Sequence, residues 1–203
     1  MSLLAGRTLL AVDTETTGMS PASGDRLVEV AYVPIVDGVI GEGWSSLVRP
    51  GRPIPPGATN VHKITDAMVA GAPSYADVAR VLREACADLP LVFHNAPFDL
   101  PFLVAMFEEA GVPPLRNPIV DTLGIAREQG GVGGNSLGAL ATRMGLPAEA
   151  AHRALGDART TARLFLKLAA AWEAKRPASG GVPASLAELA AISQDVMRTT
   201  GRR

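Results

Sequence analysis

Two carboxylates, Asp13 and Glu15, stand two residues apart at the end of the apolar run Leu9-Leu10-Ala11-Val12 in TLLAVDTETTG. Along a strand, side chains at i and i+2 leave the same face, so both acids point one way. Unpaired charge beside a core is costly, and like charges this close raise each other's pKa unless a cation sits between them. Hard oxygen donors favour Mg²⁺ or Mn²⁺, ions that keep part of their water shell and bridge to phosphate. Taken alone, the pair better suits an ordinary surface turn, with Asp13 capping TETTG and Glu15 solvated. It acquires chemical meaning only if further acids converge on it.

Two further acids occupy the right kind of position. Asp99 in HNAPFD (94–99) lies where the apolar strand LVF passes into a helix, and Asp157 in HRALGDA (152–158) lies at the start of the long C-terminal helix. In open α/β sheets, sites gather where strands end and helices begin. Asp157 also suits a helix N-cap, a common place for Asp. The chain has three histidines, His62, His94 and His152, each beside one of these segments. His152, five residues before Asp157 on a glycine-containing loop, is placed to act as a general base near neutral pH.

The elements that must carry these residues follow from periodicity and breakers. Residues 7–12 read as a strand, and 27–48 as two strands joined near Asp37-Gly38, a dipeptide suited to a tight hairpin. The Pro- and Gly-rich segment after it reads as loop to about Thr65. Helical periods cover 75–89, Phe98–Ala110, about 122–129, 136–144 and Asp157–Lys175, with short strands at 91–94 and 118–122. Asp121, at the end of the last strand, reads as the cap of the following helix. Residues 177–183 (PASGGVP) read as a linker, followed by an amphipathic helix over 184–198. The expected fold is a mixed α/β sheet with helices on its faces.

Composition sets the outer limits. A chain of 203 residues, 47% hydrophobic and 19% charged, indicates one substantial globular domain with at most an appendage. A net charge of −1 argues against binding nucleic acid by a global basic field. It does not argue against an enzyme whose metal ions neutralise phosphate. A single cysteine, Cys86, excludes an intramolecular disulfide, and its helical setting marks it as an inert core thiol. With no apolar stretch of membrane-spanning length and no signal peptide, the expectation is a cytoplasmic protein without membrane association.

DTETTG, HNAPFDLPFL and HRALGDA, in this order and spacing, resemble the three motifs of the DEDDh (DnaQ-like) 3′–5′ exonucleases. NVHKIT and IVDTLGIAR resemble further segments of the family, the second from its polymerase-proofreading branch, typified by the epsilon subunit of bacterial DNA polymerase III. The resemblance covers about residues 7–174 and implies a ribonuclease H-like fold with a mixed five-stranded sheet and helices on both faces. It implies an exonuclease domain over 1–176, with 177–203 as linker and C-terminal helix. It also implies Asp13, Glu15, Asp99 and Asp157 as ligands of two divalent ions, Mg²⁺ or Mn²⁺, with His152 as general base. Thr14, Thr16, Thr17, His62 and Phe98 are the expected contacts to the terminal nucleotide, while His94 and Asn95 orient Asp99 and its loop. The implied activity is metal-dependent hydrolysis at a single-stranded or frayed DNA 3′ end, releasing nucleoside 5′-monophosphates in proofreading or repair. An RNA 3′ end is the alternative substrate, and a non-catalytic nucleic-acid-binding module the alternative class. The C-terminal helix reads either as a docking segment for a DNA polymerase subunit or as packing on the parent domain.

Overall fold

The computed structural model describes residues 3–130, 133–175 and 185–200. Its centre is strand β1 (Thr8–Thr16), which runs four residues further than the apolar stretch alone suggests. The extension has a partner: β2 (Leu27–Val36) pairs with β1 antiparallel from Thr8↔Val36 through Glu15↔Glu29, with a register shift between Glu15 and Thr16. The acids of DTET therefore lie within the sheet, where the strand's alternation dictates their direction.

At the hairpin, Asp37 and Gly38 both take positive φ (51° and 77°), the backbone that a two-residue connection between right-twisted strands requires. The strand expected to follow is interrupted. β3 (Val39–Ile40) and β4 (Trp44–Leu47) pair with opposite ends of the same edge of β2, with residues 41–43 between them. On the far side β5 (Leu91–Phe93) pairs parallel with β1, and β6 (Ile119–Asp121) pairs parallel with β5. The order is β3-β2-β1-β5-β6, with β4 also on β2, so the mixed sheet has six strands in five positions.

Helices cover both faces, as expected. The even-numbered residues Leu10 and Val12 of β1 pack with α3 (Tyr75–Cys86) and α4 (Ala96–Glu109), around Phe93, Phe102 and Phe107. The odd-numbered Leu9 and Ala11 pack with α7 (Ala154–Ala174) through Ala158, Ala162 and Phe165. Both layers are fully buried, which fixes the alternation of β1: a one-residue slip would exchange the two faces.

The connecting segment expected to be loop contains α1 (Pro56–His62) and α2 (Asp66–Val69). Pro56 is not a breaker there because it occupies the first helical position, where its missing N–H costs nothing. His62 consequently ends a helix instead of lying in a loop. Helices α5 (Thr122–Glu128) and α6 (Leu137–Arg143) follow β6. The last helix, α8 (Leu186–Thr200), packs its Leu186, Leu189, Ala190 and Ser193 into the α7-side core. The linker expected at 177–183 falls outside the described residues. Among the described residues no helix is long and apolar enough to cross a membrane.

Candidate active site

Because Asp13 and Glu15 continue the odd-numbered face of β1, they point toward α7, and that helix brings Asp157 to meet them. Asp157 lies in the first turn of α7, which begins at Ala154. It is therefore not the N-cap residue; Arg153 is. One ligand oxygen from each of Asp13, Glu15 and Asp157 fits within a 4.8 Å span.

Asp99 reaches the site from the other layer. It sits in the first turn of α4 and is 3% exposed. Thr14, on the even-numbered face of β1, donates its hydroxyl to Asp99 Oδ1 at 2.6 Å. Thr14, expected at the nucleotide, thus directs its hydroxyl to an acid in the interior and is itself buried. The alternation of one strand explains the arrangement: two acids face one helix, and the threonine between them holds the acid of the opposite helix.

Electrostatics follow from this crowding. Burial, then Asp99, Asp157, Glu15 and Glu29, hold the Asp13 carboxyl well above the usual carboxylate range. Glu15 is pushed up to about 8, chiefly by burial and then by Asp157, while Arg153 pulls it back. Asp99 is raised to about 7 by burial, against the hydrogen bond from Thr14. Asp157 is raised by burial, although the His152 amide donates to its Oδ2 at 2.9 Å. Carboxylates driven this far toward protonation, with only oxygen donors and close spacing, are the donor set that a hard divalent cation suits.

Two concavities open at Asp13 and Glu15. The larger, about 680 Å³, is lined by Asp13, Asp157, His152, His94, Asn95, Leu123, Arg127 and Asn135. His152 is exposed and has φ 58°. The smaller, about 320 Å³, is lined by Glu15, Thr16, Thr17, Met19, Val61, His62 and Phe98. Four of the five residues expected to touch nucleotide therefore share one pocket. Their polar groups are partly committed: the Thr16 hydroxyl donates to Gly18 O at 2.6 Å, and the Thr17 hydroxyl accepts from Arg26 N–H at 2.9 Å. His62 is 2% exposed and accepts from Ile64 N–H through Nδ1, so the network assigns its proton to Nε2, which has no partner. Burial lowers its pKa and keeps the ring neutral.

The loops beside Asp99 are pinned by their own polar contacts. His94 bonds through Nδ1 to Thr122 Oγ1 (2.9 Å) and through Nε2 to Asn135 O (3.0 Å). Asp121 caps α5 through Leu123 N–H (2.9 Å), as expected, and also accepts from the amides of Asn95 and Ala96 at the start of α4. Cys86 is buried, and burial pushes its thiol up to about 11, well away from reactivity.

Glu29, Arg153, Arg127 and the 79%-exposed Met19 were not singled out from sequence. Glu29 carried a readable signal: it is an acid inside the apolar run LVEVAYV, and a buried acid requires a partner.

Comparison with known proteins agrees with this geometry. The family model described as exonuclease, of the RNase T type, matches residues 10–165. A DNA polymerase III subunit epsilon-like protein of Rhodobacter capsulatus is 46% identical over 173 residues, 83% of this chain and 24% of that protein. A PolC-type DNA polymerase III of Pediococcus pentosaceus is 35% identical over 168 residues, 81% of this chain and 12% of that protein. The chain thus spans a quarter or less of the length of these curated relatives. Among solved structures, exonuclease X in complex with 5′-overhanging duplex DNA is similar at TM-score 0.70 and 31% identity, covering 91% of this chain and 99% of that one.

Proposed function

The chain belongs to the exonuclease family, and from that premise we propose that it removes nucleotides from the 3′ end of single-stranded or frayed DNA. The products are nucleoside 5′-monophosphates. The observation that carries this reading is the position of the acids between two concavities. Asp13 lines the larger and Glu15 the smaller, so a strand running from one into the other crosses the carboxylates at a single phosphodiester. The 320 Å³ pocket is of the scale of one small ligand and takes the terminal nucleoside.

In the smaller pocket, Phe98 and the rim residue Met19 offer apolar surface to the base, and base–aromatic contact is tolerant of sequence. His62 offers its Nε2–H as a donor to the terminal nucleotide. In the larger cleft, Arg127 faces the backbone of the preceding nucleotides as a charge-assisted phosphate donor. Asp13, Glu15 and Asp157 would hold divalent ions, with Asp99 in support and Thr14 orienting Asp99. When bound, such ions activate water and stabilise the leaving oxygen. Histidine 152, on the wall shared with Asp13 and Asp157, takes the proton of the attacking water through its ring.

The relatives' names support assigning this activity to proofreading beside a polymerase III-type enzyme. The test is digestion of 3′-paired, 3′-mismatched and single-stranded DNA beside matched RNA, with and without Mg²⁺. The reading expects mononucleotide release that requires metal and is fastest on unpaired DNA. Preferential digestion of the RNA would move the substrate assignment, and metal-independent release would remove the mechanism.

A further inference from the structure

The acid facing Glu15 across the sheet is Glu29: the two are direct partners in the β1–β2 register, so their side chains leave the same face. Glu29 is 3% exposed. Its carboxylate accepts Arg153 Nε at 3.0 Å and Arg153 Nη2 at 2.7 Å, a bidentate fork, and the Ala154 backbone N–H at 3.0 Å. A planar guanidinium held through two parallel bonds is fixed in orientation as well as in distance, which an ammonium is not.

The residue just before this fork is His152. Its φ of 58° is a left-handed conformation that a non-glycine residue keeps only where its surroundings over-determine it. Those surroundings are visible on both sides. The His152 amide donates to Asp157 Oδ2 at 2.9 Å, and the next two residues are anchored on Glu29. The turn that presents the His152 ring to the cleft is thus tied to β2 at one end and to a clustered acid at the other.

We propose that Glu29 and Arg153 are a positioning pair, which locks the left-handed turn at His152 and sets its ring against Asp13 and Asp157. Neither touches the reacting atoms; they act through His152, and the proposal rests on His152 being the general base. An ion pair that served only the fold would change stability and leave turnover by the folded enzyme alone. A positioning pair changes kcat, and only while the imidazole is there to be positioned.

The experiment is a double-mutant cycle on the full chain, with a single-stranded DNA oligonucleotide and saturating Mg²⁺, at a temperature where circular dichroism shows every variant folded. Glu29→Gln and Arg153→Lys are each measured alone and combined with His152→Ala. We expect each single substitution to lower kcat at least about tenfold with KM within about twofold, and to lower it less than about twofold in the His152→Ala background. Equal factors in both backgrounds, or unchanged kcat in the single variants, overturn the positioning role. A His152→Ala enzyme with near-wild-type kcat overturns instead the assignment of the base, and the proposal with it. Should Glu29→Gln fail to fold, Arg153→Lys, which keeps the charge and loses the fork, carries the same cycle.

Discussion

Thr14 and its neighbours on β1 show how alternation assigns roles. One strand directs Asp13 and Glu15 to α7 and the hydroxyl of Thr14 to Asp99. Asp13→Ala or Asp157→Ala is expected to abolish Mg²⁺-dependent mononucleotide release while circular dichroism stays native; near-wild-type release by either variant contradicts the assignment. Replacing His152 with Ala is expected to lower kcat by about 10²–10⁴-fold, the usual worth of a positioned general base. Thr14→Val removes the 2.6 Å donor and keeps the volume. It is expected to cost about 10–100-fold in activity or metal affinity, as outer-shell changes do, and metal titration calorimetry would separate the two. The acids and His152 were nameable from motif spacing. The hydrogen bond from Thr14 to Asp99 was not, because it joins residues 85 positions apart and depends on which helix covers which face.

At the scale of elements, the site depends on where helices begin. Asp121 accepts from amides at the starts of both α4 and α5. Asp121→Ala therefore removes two caps, expected to cost about 1–2 kcal/mol for each and to lower Tm measurably. Gly124 on α5 is the contact point for α8: a Cβ there would lie 2.8 Å from Ser193 Cα, against backbone that has no side-chain freedom to yield. Gly124→Ala is expected to push α8 away, costing about 1–3 kcal/mol and raising protease cleavage within 185–200; unchanged Tm and cleavage would show that α8 contributes little there. Helix types were legible from period and breakers. Their first turns were not: α4 and α7 start at Ala96 and Ala154, two and three residues before the expected points. Those starts are set by anchors from distant strands, Asp121 and Glu29, which local pattern does not contain. The helix at Pro56–His62 was missed because proline and glycine density reads as loop unless the first-turn tolerance for proline is applied.

For the whole molecule, a net charge of −1 conceals a concentrated negative site whose acids are held toward protonation. The folded-state pKa of Glu15, about 8, lies above its ordinary 4.5. Between those values the metal-free folded protein keeps a proton that the unfolded chain has released. Stability contributed by this group is thus complete below pH 4.5 and is lost as pH rises to about 8. Metal-free Tm is expected to fall across that window, and the rise in Tm on adding Mg²⁺ or Mn²⁺ to grow across it; for a chain of this size about 2–4 °C corresponds to 1 kcal/mol. A metal effect independent of pH would contradict the crowding. The overall plan was legible, because a meander followed by alternating helices and strands admits few sheets, whereas the break in the third strand, marked by Gly41 and Gly43, was read through as one continuous strand. The most direct test of metal-dependent 3′–5′ hydrolysis is digestion of a 5′-labelled single-stranded DNA by the wild-type chain, with Mg²⁺ or with chelator. The expected result is a ladder shortening stepwise from the 3′ end with nucleoside 5′-monophosphate release, only when metal is present. Internal cuts, shortening from the 5′ end, or equal digestion under chelator would contradict it.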